Sequence, residues 1–249
     1  MRGTRLLAIG AALALCGCSA PINGAPRASA STQPIVYAAI GASETYGVGA
    51  DDRARQAWPQ LFLRGALPDS TAYYNFGIPG ATTAQALRNE LPPALAVHPT
   101  VATVWLNVND LIQGIPASAY AADLRRLVRA LRRQGKTRVL VASTPDLGQL
   151  PAYRACLPDP PPGGPACLIP AALLPSPQQL AAAIAGYNAA IIQVTNQEGA
   201  TMVNLSGADV RISQHPDWIS ADGFHPNARG YAAIARAFEA AYLQGRPGR

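Results

Sequence analysis

Ser43, Asp222 and His225 are the side chains of this 249-residue sequence whose types and spacing suit acyl transfer. In Asp222-Gly-Phe-His225-Pro226 a carboxylate and an imidazole lie three positions apart at the predicted start of a helix. A neutral imidazole can take the proton of a serine hydroxyl, and a carboxylate on its other nitrogen fixes the tautomer and stabilises the imidazolium that forms. Taken alone, the segment reads equally well as a helix N-cap with a histidine exposed in the first turn. Ser43 tips the reading, because it follows an apolar run directly and opens a turn bounded by Gly41 and Gly47. A serine hydroxyl is a poor nucleophile without a base in hydrogen-bond reach, and the chain has three histidines. His98 stands just ahead of a predicted strand, at the opposite sheet edge, and His215 has no carboxylate three residues upstream.

Acyl transfer also needs donors aimed at a developing oxyanion, each contributing about 3 to 4 kcal/mol. The Ser43 amide is one candidate, the amide of Gly80 in Gly-Ile-Pro-Gly80 a second, and the side-chain amide of Asn109 a third. The plainer readings are a turn glycine for Gly80 and a cap for Asn109.

Elements that would position these residues alternate along the chain. Short apolar runs at 35–40, 101–106, 137–142 and 201–205, with a weaker one at 73–76, read as strands. Helical periodicity covers 54–63, 83–91, 117–133, 177–198 and 228–243. Such alternation predicts an open parallel sheet with helices on both faces, and ligands in such sheets bind beyond the carboxyl ends of the strands. Every candidate residue follows an apolar run, as that rule requires.

Four spaced blocks, Gly41-Ala-Ser43, Asn75-Phe-Gly-Ile-Pro-Gly80, Asn107-Val-Asn109-Asp110 and Asp222-Gly-Phe-His225, together resemble the SGNH or GDSL hydrolases. The resemblance runs from about 35 to 243 and implies a flavodoxin-like, three-layer α/β/α sandwich around a mainly parallel sheet of about five strands. It implies a serine esterase or lipase acting through an acyl-enzyme, without metal or organic cofactor. Ser43 then corresponds to the nucleophile and first oxyanion donor, Gly80 and Asn109 to the other donors, and Asp222 and His225 to the orienter and base. Two positions depart from the family pattern: Ala42 stands where an aspartate is usual, and Asn107 where a glycine is usual. They motivate an alternative, a catalytically inactive surface-binding protein of the same fold. Within the enzyme class, removal of acetyl groups from carbohydrates is the other alternative.

At the N-terminus, Met1-Arg-Gly-Thr-Arg5 precedes an apolar run from Leu6 to Leu15. This has the form of a secretory signal over 1–17, too short to span a membrane. Gly17-Cys18 resembles a lipoprotein cleavage site, with Cys18 as the lipidated residue, so export from a bacterial cell is expected, lipid-anchored or otherwise secreted. Residues 18–32 read as a flexible tether and 33–245 as the folded domain. Cys156 and Cys167 flank a proline-rich loop and, in an oxidising compartment, are expected to form a disulfide rather than a metal site. That loop, 151–177, holds nine prolines and is expected to be irregular, a stapled lid on the site's edge. Trp218 is a candidate wall of the acyl pocket. The formal charge is +6, and the arginines from Asp123 to Arg138 read as a solvated helix face rather than a nucleic-acid surface. The expected partner is a small-molecule, lipid or glycan ester.

Overall fold

The computed structural model describes residues 34–207, 210 and 215–244. The signal, Cys18 and all of the tether therefore lie outside the described residues. Five strands, β1 (Val36–Gly41), β2 (Ala72–Asn75), β3 (Val101–Trp105), β4 (Arg138–Ala142) and β5 (Thr201–Val203), form one sheet in the order β2-β1-β3-β4-β5. Every pairing is parallel. This is the doubly wound, flavodoxin-like order, in which the loops after β1 and β3 diverge to opposite faces and leave a crevice at the carboxyl edge.

The side-chain alternation of the strands builds the two outer layers. Ala38, Ile40, Ala102, Val104, Val139 and Val141 face one core, packed under α4 (Thr83–Asn89), α5 (Leu91–Ala96), α7 (Ala117–Arg132) and α9 (Pro177–Glu198). Tyr37, Ala39, Val101, Trp105, Leu140 and Ala142 face the other, under α3 (Trp58–Ala66) and α10 (Ala228–Gln244). The second core is aromatic: Trp58 stacks on Phe238 with ring centroids 4.1 Å apart, which anchors α3 to α10. Burying a ring of this size contributes roughly 2 to 3 kcal/mol.

Several expectations need adjustment. The helix expected over 54–63 is two pieces, α2 (Arg53–Gln56) and α3, separated by Ala57 in extended conformation. Pro59 explains the break, since it lacks the N–H that a continuous helix would donate to the carbonyl of Arg55. Arg64 donates to that carbonyl instead. The helix expected over 83–91 likewise ends at Asn89, and α5 restarts with Pro92 and Pro93 in its first turn. A five-residue helix, α6 (Val108–Ile112), was not expected. The proline-rich loop is not wholly irregular: it opens with one helical turn, α8 (Pro151–Arg154), where Pro151 occupies a position that needs no N–H. Cys156 and Cys167 are joined by a disulfide.

The arginine stripe of α7 faces solvent as expected, with Arg126 and Arg129 exposed; Arg129 also forms an ion pair with Glu198 of α9 at 2.7 Å, and Arg125 binds Gln197.

Candidate active site

β1 ends in a tight turn into α1 (Ser43–Tyr46), so Ser43 is the first helical residue at the carboxyl edge of the sheet. First-turn amides of a helix have no intrahelical acceptor, which leaves the Ser43 N–H directed outward. The turn is held from three sides. The Gly41 N–H donates to Glu90 Oε2 at 2.8 Å, and the Gly41 carbonyl accepts from Ile78 N at 2.9 Å. Asn75 Nδ2 donates to the Thr45 carbonyl at 2.8 Å, so the loop carrying Gly80 is tied to the turn carrying Ser43.

Gly80 has φ +81°, a conformation costly for any residue with a Cβ, and it is exposed with open space around it. Among the described residues its N–H meets no acceptor. Asn109, in α6, donates from Nδ2 to the Ala81 carbonyl at 3.0 Å. One amide proton thus fastens Asn109 to the Gly80 loop while the other remains to serve a ligand. Asp110 accepts from the Thr83 N–H at 2.9 Å and ties α6 to α4. Burial, only partly offset by those hydrogen bonds, holds its carboxyl above the ordinary range.

On the opposite side of the crevice, Asp222 Oδ2 and His225 Nδ1 are 2.6 Å apart. Asp222 Oδ1 accepts from Ser220 Oγ, Phe224 N and His225 N at 2.7, 2.8 and 2.9 Å. Burial pushes this carboxyl upward, but the hydrogen bonds from His225, Phe224 and Ser220 outweigh it and bring its pKa to about 2. Asp222 is therefore ionised and its geometry is fixed through both oxygens. The segment that follows Ser43 packs against this loop: at Gly49, φ +93°, an added Cβ would sit 3.0 Å from His225 Cβ. The Tyr231 hydroxyl of α10 donates to the Val48 carbonyl and closes the same contact.

The structure brings Ser43, Gly80, Asn109, Asp222 and His225 to one edge, as the sequence predicts. His98 lies at the other end of β3, and His215 stacks on Trp218 with centroids 3.6 Å apart. Trp218 lines an apolar cavity of about 40 Å³ that also touches Glu44, Leu147 and Phe224. The proline-rich loop reaches this edge, since Ala152 N donates to the Gly223 carbonyl at 3.0 Å.

Two carboxyl groups escaped the sequence reading. The Ser43 hydroxyl donates to Glu44 Oε2 at 3.2 Å and makes no hydrogen bond to His225. An acidic residue directly after the candidate nucleophile was the available signal. Glu90 is fully buried, holds Gly41 through one oxygen, and has its other oxygen unpaired among the described residues. Nothing local marks it, since its partner lies 49 positions away. The two departures from the family pattern also find places. Ala42 is buried in the same core as Ala38 and Ile40, and Asn107 Nδ2 donates to the Ala142 carbonyl at 3.1 Å, joining the ends of β3 and β4.

A nucleophile, an oriented imidazole and donors on two neighbouring loops can together support attack on a carbonyl and stabilise the resulting oxyanion. The comparisons with known proteins agree with that chemistry. The chain is similar in fold to the psychrotrophic esterase EstA from Pseudoalteromonas sp. (17% identity, 84% of this chain and 97% of that one, TM-score 0.59). It is likewise similar to the lipase Lip_vut3 from a goat rumen metagenome (19%, 83% and 97%, TM-score 0.61). A third similar structure is the lipase/acylhydrolase from Enterococcus faecalis (18%, 86% and 99%, TM-score 0.59). No curated protein matches the sequence. Residues 39–233, well over half the chain and spanning all five candidate residues, match the family model for GDSL-like lipases and acylhydrolases, and the chain belongs to that family of lipase- and esterase-type hydrolases.

Proposed function

We propose that the protein is a carboxylic ester hydrolase in which Ser43 attacks the ester carbonyl and His225 accepts the serine proton. Asp222 holds His225 in the tautomer that keeps Nε2 free. The Ser43 and Gly80 amides and the Asn109 side chain receive the oxyanion. The tetrahedral intermediate collapses as His225 returns the proton to the leaving alcohol, and water then repeats the sequence on the acyl-enzyme. The observation that carries this reading is the 2.6 Å Asp222–His225 pair, fixed through both carboxylate oxygens and packed against the turn that bears Ser43.

Covalent labelling tests it. A fluorophosphonate should attach to Ser43 of the wild-type protein and not to a Ser43→Ala variant, as read by intact-protein and peptide mass spectrometry. An unlabelled Ser43, under conditions in which another esterase of the family reacts, would leave the inactive surface-binding alternative standing.

Acetyl removal from carbohydrates is a second reading, in which the apolar cavity beside the Ser43 turn takes a short acyl group. Rates on p-nitrophenyl esters from acetate upward, run beside acetylated glycans, separate the two readings. The proline-rich loop acts as a lid in this proposal, since it is stapled by Cys156–Cys167 and bonded to the Asp222–His225 loop. Shortening it should change the ratio of rates on short and long esters. Export, with lipid attached at Cys18, completes the proposal, and Cys18→Ser should move the protein from the membrane fraction to the soluble one.

The Asn109 contribution has its own expected size. Asn109→Ala should lower kcat by about 10² to 10³ while KM changes little, because the lost donor acts on the transition state rather than on the bound ester. Steady-state kinetics on p-nitrophenyl acetate measure this. An equal rise in KM with kcat intact would place Asn109 in substrate binding instead.

A further inference from the structure

Glu44 has no part in the mechanism above, yet it is the side chain that holds the nucleophile. It is 6% exposed, and its Oε2 accepts the Ser43 hydroxyl at 3.2 Å. Among the described residues it is also the one ionisable side chain lining the adjoining cavity, whose other walls include Trp105, Leu147, Trp218, Phe224 and Ile234. A carboxylate in such surroundings is costly unless a positive charge or hydrogen bonds compensate it. Its titratable neighbours are few. His225, on the loop ahead of α10, favours the charged form of Glu44. From α10 comes Tyr231, whose phenol is driven up by burial first and then by the charges of Glu44 and Asp222. β3 presents Trp105 and the loop after β4 presents Pro145, Leu147 and Leu150, none of them charged. Among the described residues the compensating charge is the imidazolium on His225, which forms when that ring takes the proton of Ser43.

We propose that Glu44 is a positioning residue for acyl transfer: it holds the Ser43 hydroxyl while the site is empty, and its buried charge favours the imidazolium that His225 becomes on attack. Glu44 gains and loses no proton in the step. The Ser43 Oγ–carbonyl bond forms, the π pair moves to the carbonyl oxygen, and the proton passes from Oγ to His225 Nε2. Asp222 faces the imidazolium through Nδ1, and Glu44 adds a second negative charge on the Ser43 side. Burial holds the Glu44 carboxyl above the ordinary range, so its own titration adds to the acid limb of the rate profile.

The inference rests on the esterase reading, and the experiment separates the two. Inactivation by a fluorophosphonate and hydrolysis of p-nitrophenyl acetate are followed from about pH 5 to about pH 9 in the wild type, Glu44→Gln and Glu44→Asp. Glu44→Gln should lose about tenfold in kcat near the optimum with KM nearly unchanged. Its acid limb should lie at lower pH, because the titration of the buried Glu44 carboxyl, which adds to that limb in the wild type, has gone. Glu44→Asp retains the charge and should keep the acid limb near its wild-type position. A purely structural role would lower rates without moving that limb. If Glu44→Gln does not fold, as read by circular dichroism, Glu44→Leu, which fills the same apolar space, takes its place with the same expected shift. A wild type that labels at Ser43, with a variant whose rate and profile match it, overturns the role of Glu44 alone. A wild type that neither labels nor hydrolyses esters overturns the esterase reading, and the role of Glu44 with it.

Discussion

His225→Ala is expected to lower kcat for ester hydrolysis by about 10⁵ to 10⁶, Ser43→Ala by a similar factor, and the double variant by no more than either alone. The non-additivity follows from the roles: without the imidazole the hydroxyl has no proton acceptor, and without the hydroxyl the imidazole has nothing to activate. Asp222→Asn should cost about 10⁴, for a reason visible in the loop. Asn can keep its oxygen where Oδ1 stands, accepting from Ser220 Oγ, Phe224 N and His225 N, so the loop survives. Its amide nitrogen then replaces Oδ2 and presents a donor to Nδ1, which drives the ring to the tautomer whose Nε2 carries the proton. The pKa of Asp222, about 2, also predicts that the acid limb of the rate profile owes nothing to this carboxylate. Its pKa is depressed in the folded state, so the stability it confers is present above the ordinary carboxylate range and is lost as pH falls towards 2. Initial rates on p-nitrophenyl acetate, with folding checked by circular dichroism, measure all four variants. If both His225→Ala and Asp222→Asn kept activity within about tenfold of the wild type, a different base would serve Ser43, and Glu44 is the group hydrogen-bonded to it.

What the sequence made legible was local. β1, β3 and β4 are apolar on both faces because helices cover both, and continuous runs of that kind stand out. β2 was faint because it is an edge strand, mostly exposed, in which only Tyr73 packs well against the core. Ser43, Gly80 and Asn109 could be assigned to one sheet edge because each sits just after a strand whose end could be placed, and Asp222 and His225 because the last strand leads through a loop to them. Sequence gave no access to hydrogen bonds between distant segments. Which acceptor takes the Ser43 hydroxyl depends on rotamers, and the neighbouring Glu44 takes it in preference to the ring expected to be its partner. The ties from Glu90 to Gly41 and from Asp110 to Thr83 span 49 and 27 positions, and no periodicity reports them. Proline was the recurring source of misplaced boundaries. Pro59, Pro92, Pro93 and Pro151 each lie in the first turn of a helix that begins there, where a missing N–H costs nothing, and a reading that treats proline only as a breaker misses the restart.

Glu90→Gln is expected to remove the part of the pH dependence of stability that Glu90 contributes between about pH 4.5 and about pH 8. In the wild type, burial pushes the Glu90 carboxyl up to about 8, and the Gly41 N–H offsets this only in part. The folded protein therefore holds a proton across that range that the unfolded chain has released. Stability falls as pH rises through the range and has reached its lower level above about 8, a difference of about 5 kcal/mol at most. A glutamine keeps an oxygen for the Gly41 N–H and has no charge to bury. It does leave its amide nitrogen where the unpaired Oε1 now lies, so below about pH 5 the variant should be slightly less stable than the wild type, by about 1 to 2 kcal/mol. Above about pH 8 the order should reverse, and urea titrations at the two pH values should show the crossing. Parallel curves for the two proteins would mean that Glu90 carries no protonation change on folding. The prediction also bears on Ala42: Glu90 reaches the same turn from α4–α5 and grips the strand end one residue before Ala42. A turn held this way should loosen as Glu90 ionises, so the alkaline loss of activity in the wild type should be delayed in Glu90→Gln while the acid limb stays in place.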